Sequence, residues 1–98
     1  MSVYDDIRDE RESQIRKGFD AAHDFEHFHG QLSEAAAVYA DVAAAQLCFN
    51  EVGSEYQHRW PFDDGFRVYD NPRTQLIKAA ALLVAEIERY DLLEEADD

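Results

Sequence analysis

Seven of the eleven residues from Ala35 to Ala45 are alanine, and the larger side chains around them follow a helical step. Leu32, Ala36, Tyr39, Ala43 and Leu47 recur at intervals of four, three, four and four, which places them on one face of a helix. Alanine on that face lets a neighbouring helix approach closely, so the segment constrains the chain to a helix-on-helix architecture. The spacing predicts a helix ending near Phe49 and beginning at Ala21 or after Gly30, depending on whether that glycine interrupts one helix or precedes it.

Two further helices flank it. Over Ser2 to Lys17, Ser2 can cap and Asp5 lies three residues on, near the positive helix end, while Glu12 and Arg16 are spaced as an i,i+4 pair. Its apolar stripe is thin: Val3, Tyr4, Ile7, Ile15 and Phe19. The last helix opens at Asn71-Pro72, a cap followed by proline in the first turn. Leu76, Ala80, Leu83, Ile87 and Tyr90 then recur at helical steps, and Ile77 and Val84 widen the stripe, so this face is expected to meet a core. Helices of about 16, 18 and 22 residues would span roughly 24 to 33 Å.

Between the second and third helices lie residues 50–70, with Tyr56, Trp60, Phe62, Phe66 and Tyr69. Five aromatics argue against disorder, so an ordered cover over the helices is expected, with a short hairpin near Asp63-Asp64-Gly65 as one form of it. The expected fold is all-α: a small three-helix bundle with an ordered aromatic-rich loop between helices 2 and 3, as one domain over residues 1–98. A chain this short buries only about 60 to 70% of its unfolded surface, and a homodimer sharing the alanine face would relieve that shortage.

Charge narrows the function classes. Nine Lys and Arg face 22 Asp and Glu, a formal charge of -13. From Gly18 to His58 there is no Lys or Arg but seven carboxylates, and the last twenty residues add seven more against Arg89 alone. That field opposes nucleic acid and anionic membranes as direct partners. No apolar run approaches the about 18 residues of a membrane span, and the acidic start is unlike a secretory signal. Cys48, the single cysteine, sits between Leu47 and Phe49 and reads as a packing residue. A cytoplasmic protein is expected.

Reactive side chains are densest from Asp20 to His29. If that stretch is helical, His23 and His27 project from one face and could grip a divalent cation, with Asp24, or else Asp20 or Glu26, as a third ligand. An amphipathic approach to the next helix explains the same residues, and no other cofactor is implied. Glu34 and Asp41, seven apart, share a face and form an acidic strip, which a solvated surface explains equally well. Glu86 and Glu88 are two apart and point to different sides, which does not suit a shared metal. Trp60, flanked by His58, Arg59 and Pro61, is of the type enriched in interaction hot spots, and equally a common lid on a small core.

Several of these residues occur in a recognisable order. His23-Asp24, His27, Gly30, Leu32, Ala35-Ala36, Tyr39-Ala40, Trp60-Pro61 with Asp63, Arg73, Leu76 to Leu82 and Ala85 to Arg89 resemble a family of short phage and prophage proteins. Those read ERxRQ, HDDxHxxGEL, AAxYA, WPWD and LVKAxALxxAEIER in sequence, and the likeness covers about residues 10 to 91. The chain departs at Phe25, where the family has a second Asp, at Gly30-Gln31-Leu32 for GEL, and at Glu10-Arg11-Glu12-Ser13-Gln14 in the first box. Two potential metal carboxylates are thereby lost. The resemblance implies a mobile-element accessory protein in a bacterial host cytoplasm, its activity unassigned.

Resemblance and charge together favour a non-catalytic interaction protein that occupies a basic surface on a host protein, in the manner of an inhibitor of a nucleic-acid-binding defence component such as a CRISPR-type effector. Glu34, Asp41, Arg59 and Trp60 are its candidate contacts. The rival is a metal-dependent phosphohydrolase or nucleotide-binding protein using His23, Asp24 and His27, with Arg73 or Lys78 facing a phosphate. A structural oligomer without a small-molecule site is a third reading, and halophilic adaptation would give the same charge balance.

Overall fold

The structure, a computed structural model, describes residues 2–16, 30–49, 55–61 and 71–97. Their regular structure is entirely helical: α1 (Val3–Arg16), α2 (Gln31–Phe49), the single turn α3 (Tyr56–Arg59) and α4 (Pro72–Asp97). No strand occurs among the described residues.

Local chemistry fixes the helix starts. Ser2 and Asp5 form a reciprocal capping box: the Asp5 N–H donates to Ser2 Oγ at 3.2 Å and the Ser2 N–H to the Asp5 carboxylate at 3.4 Å. Asn71 accepts from the Thr74 N–H at 2.9 Å through its side chain and from the Gln75 N–H through its carbonyl, with Pro72 in the first turn. Gly30 stands immediately before α2, which begins at Gln31, and residues 21–29, where an earlier start would fall, lie outside the described residues. The Gly30 φ of +74° is a left-handed conformation that side chains resist, and its carbonyl accepts the first helical bond, from Glu34.

α4 is the central element. It packs against α2 along much of its length and against α1, whereas α1 and α2 have little contact. The bonds Ser33 to Glu86 and the approach of Lys78 to Tyr39 run in opposite senses along the two chains, so α2 and α4 are antiparallel. Arg11 to Glu88 and Asp6 to Arg73 run in the same sense, so α1 and α4 point the same way.

The core is where alanine meets alanine. Leu32, Ala35 and Ala36 of α2 pack on Ala79, Leu82 and Ala85 of α4, and Val38 and Val42 form a second cluster beneath Tyr56 and Trp60. The alanine face is thus consumed within the chain, which corrects the expectation that a dimer would share it. The stripe expected to face the core of α4 is also wrong. Leu76, Leu83, Val84, Ile87 and Tyr90 are 39 to 60% exposed, and the buried line runs through Gln75, Ala79, Leu82, Ala85 and Arg89 instead. Residues 76 to 87 are apolar nearly all round, so periodicity alone does not choose a face. Close approach chooses it, because the small side chains let the backbones of α2 and α4 draw together.

α1 departs from expectation in the same way. Val3, Tyr4 and Ile15 are exposed while Arg11 and Gln14 are buried, so α1 docks on α4 through polar groups, led by Arg11 Nε to Glu88 at 2.9 Å. Cys48 is exposed and not a packing residue, as are its neighbours Leu47 and Phe49. Phe19, the Asp63-Asp64-Gly65 turn and most of the aromatic loop lie outside the described residues. The described part of that loop, Tyr56 to Pro61, does lie over α2.

Candidate functional site

The outer face of α2 and the short α3 bring four of the expected contact residues together. Glu34 and Asp41 occupy one side of α2 two turns apart, and α3 delivers Arg59 to Asp41, with a guanidinium-to-carboxylate distance of 2.7 Å. Both partners are about half exposed, so the pair positions α3 more than it stabilises it. Arg59 also lies over the Tyr56 ring, 5.9 Å from its centroid. Between them, Glu34, Ala37, His58 and Arg59 line a shallow, open depression of about 420 Å³. Val38, between Glu34 and Asp41 on α2, is buried.

Trp60 is held differently. Its ring meets Tyr39 edge-on at 5.4 Å and packs on both core clusters, so its body serves as a lid. Tyr39 in turn receives the Lys78 ammonium at 5.7 Å. A partner meeting this face would touch the carboxylate of Glu34, the Asp41–Arg59 pair and whatever edge of Trp60 is left open.

A second polar centre joins α2 to α4, and nothing in the sequence pattern announced it. The Glu86 carboxylate accepts from the Ser33 N–H at 3.1 Å, from Ser33 Oγ at 2.8 Å and from Arg89 Nε at 2.5 Å. Burial pushes its pKa up, but the bonds from Arg89 and Ser33 and the charge of Arg89 outweigh burial and hold it below the ordinary carboxylate value. Tyr90 moves the other way, raised chiefly by its hydrogen bond to Glu94 and that carboxylate's charge. As the spacing required, Glu86 and Glu88 face different neighbours, α2 and α1. The signal that could have revealed the Glu86 cap is the bare Gly30: a helix start with no side chain to cap it needs a cap from elsewhere.

His23, Asp24 and His27 lie outside the described residues. Among the described residues, no group of three or more His, Cys, Asp or Glu stands close enough to hold a metal ion, and no helix is long and apolar enough to cross a membrane. Arg73, offered as a phosphate contact, is engaged with Asp6 at 2.5 Å. No family profile, curated protein or solved structure matches the chain.

Proposed function

We propose that the protein is a non-catalytic interaction module: a small acidic helical scaffold, phage-derived, that occupies a basic surface on a host nucleic-acid-binding protein of the defence class. One observation carries the reading. Arg8, Arg11, Arg59, Arg73 and Arg89 are each committed to a carboxylate of the same chain. Asp9, Glu12, Glu34, Glu55, Asp91, Glu94 and Glu95 meanwhile stand exposed on the helices and at the start of α3. Arg11 and Arg89 are buried and Arg8, Arg59 and Arg73 are neutralised at the surface by neighbouring carboxylates, so the exposed charge left over is mostly carboxylate.

Carboxylates on rigid helices present charge where a basic protein expects phosphate. The summed field speeds encounter, and complementarity supplies specificity. The face around Glu34 is the proposed centre of contact, since Arg59 and Trp60 flank its charge with groups suited to a partner pocket.

The test is competition. The protein is expected to displace DNA from basic bacterial nucleic-acid-binding proteins, CRISPR-type effectors among them, and to do so less well as salt rises from about 50 to 500 mM, where exposed charges are screened. Glu34→Lys should weaken that displacement. Failure to displace, or displacement indifferent to salt, overturns charge mimicry. Stoichiometric divalent metal on the purified chain, lost in His23→Ala and His27→Ala with the fold retained, would put the hydrolase reading in its place.

A further inference from the structure

We propose that the outer face of α4 is a homodimer interface, in which a second copy of the chain packs its own α4 antiparallel across the stripe Leu76, Ala80, Leu83, Ile87 and Tyr90. The first observation is the stripe itself. Its spacings of four, three, four and three residues are those of a helix–helix seam, and they sit on the side of α4 turned away from α2. Leu76, Leu83, Val84, Ile87 and Tyr90 together leave about 400 to 500 Å² of side chain in water, at the size of the largest apolar patch on a typical monomer. Doubled, and with the polar rim of a helix pair, that reaches the lower end of specific interfaces, about 1,200 Å² in total.

Charge selects the occupant and its direction. From Asn71 to Ala85 the helix carries Arg73 and Lys78 and no carboxylate, whereas Asp91 to Asp98 carries five carboxylates and no base. Both ends therefore oppose the dipole of their own helix, with no acid in the first turn and no base in the last. α2 does little for the acidic end, because its antiparallel register with α4 begins near Glu86 and the residues beyond Glu88 continue past it. A second α4 in the opposite direction corrects both ends at once: its positive N-terminus lies beside Asp91, and its acidic end beside Arg73. A parallel copy would stack acid on acid.

Antiparallel seams place each layer of one helix opposite the alternate layer of the other. Ala80 then faces Leu83 of the second copy, small against large, and Leu76 faces Ile87. Arg73, still largely exposed while holding Asp6, comes next to Tyr90 of the second copy.

The mass of the full chain in solution, measured by light scattering as it is diluted, is expected to be that of a dimer falling to a monomer. Leu83→Glu, at an exposed position, should keep the helical circular dichroism and weaken association at least about 100-fold, because it sets like charges across the seam. Direction is read by cross-linking in a Cys48→Ser background. A Leu76→Cys chain mixed with an Ile87→Cys chain should join through a short bis-maleimide, and the Leu76→Cys chain alone should not. A monomer at every concentration, a dimer indifferent to Leu83→Glu, or self-linked Leu76→Cys chains overturns the proposal.

Discussion

Glu86 caps a helix it does not belong to: its carboxylate, on α4, accepts both the N–H and the hydroxyl of Ser33 in the first turn of α2. Gly30 supplies the backbone conformation that starts α2 but has no side chain to bond the free N–H groups, so α4 provides the cap. The same carboxylate neutralises Arg89, which is 8% exposed. Glu86→Ala removes the cap and leaves a buried guanidinium without its carboxylate. The expected cost is about 2 to 4 kcal/mol, against about 0.5 to 1.5 for Ser33→Ala. Urea midpoints at unchanged slope measure both, and a Glu86→Ala midpoint equal to the parent's would show that the cap contributes nothing.

Acid should find this carboxylate. Its pKa in the folded chain lies below the ordinary value of 4.5, so the unfolded chain binds the proton more readily. The contribution of Glu86 to stability is therefore complete above about pH 4.5 and is lost as pH falls through the lower folded value. Glu86→Gln, which keeps the shape without the charge, should be less stable than the parent at pH 7 and should shed less stability between pH 5 and 3, about where carboxylates titrate. Parallel urea titrations at each pH read the difference. Equal slopes would mean other carboxylates carry the acid response.

Gln75 is fully buried, and neither Nε2 nor Oε1 has a hydrogen-bond partner among the described residues. A buried amide without partners costs about 1 to 3 kcal/mol, and an apolar side chain of similar volume removes that cost. Gln75→Met is expected to raise stability by about 1 to 2 kcal/mol, seen as a higher thermal midpoint. A fall of that size would show instead that hydrogen bonds hold the amide.

What the sequence made legible was local. Ser2 with Asp5 and Asn71 with Pro72 each act within four residues, and each marks a helix start in the structure, whereas the sequence left the start of α2 open between Ala21 and Gly30. The alanine run likewise named the α2 side of the core. The working face of α4 was not legible, because leucine, isoleucine and valine surround the helix and its neighbours are chosen by alanine contact with α2 and the Arg11–Glu88 bond to α1. The Ser33–Glu86 and Arg11–Glu88 bonds join residues 53 and 77 positions apart, and no periodicity encodes such links. At the candidate site, the seven-residue spacing put Glu34 and Asp41 on one face. That Arg59 would return to neutralise Asp41 depends on the path of the chain after Phe49, and a count of charges does not reveal it.

Trp60 and Arg59 are adjacent in sequence but should differ in what their loss does. Trp60 covers both core clusters and meets Tyr39 edge-on, so truncation opens a cavity over Val38 and Val42. Trp60→Ala is expected to cost about 2 to 4 kcal/mol, and Trp60→Phe to recover much of that by keeping an aromatic edge over the same cluster. Arg59→Ala removes a half-exposed ion pair and an exposed contact with the Tyr56 ring, and should cost about 1 kcal/mol or less. If the face binds a basic partner through Arg59 and Trp60, Arg59→Ala should weaken binding with little loss of stability, whereas Trp60→Ala should weaken binding and stability together. Denaturation and competition assays on the same three variants separate the two roles. An Arg59→Ala chain that binds as tightly as the parent, or more tightly, would show that the arginine holds Asp41 and does not touch the partner.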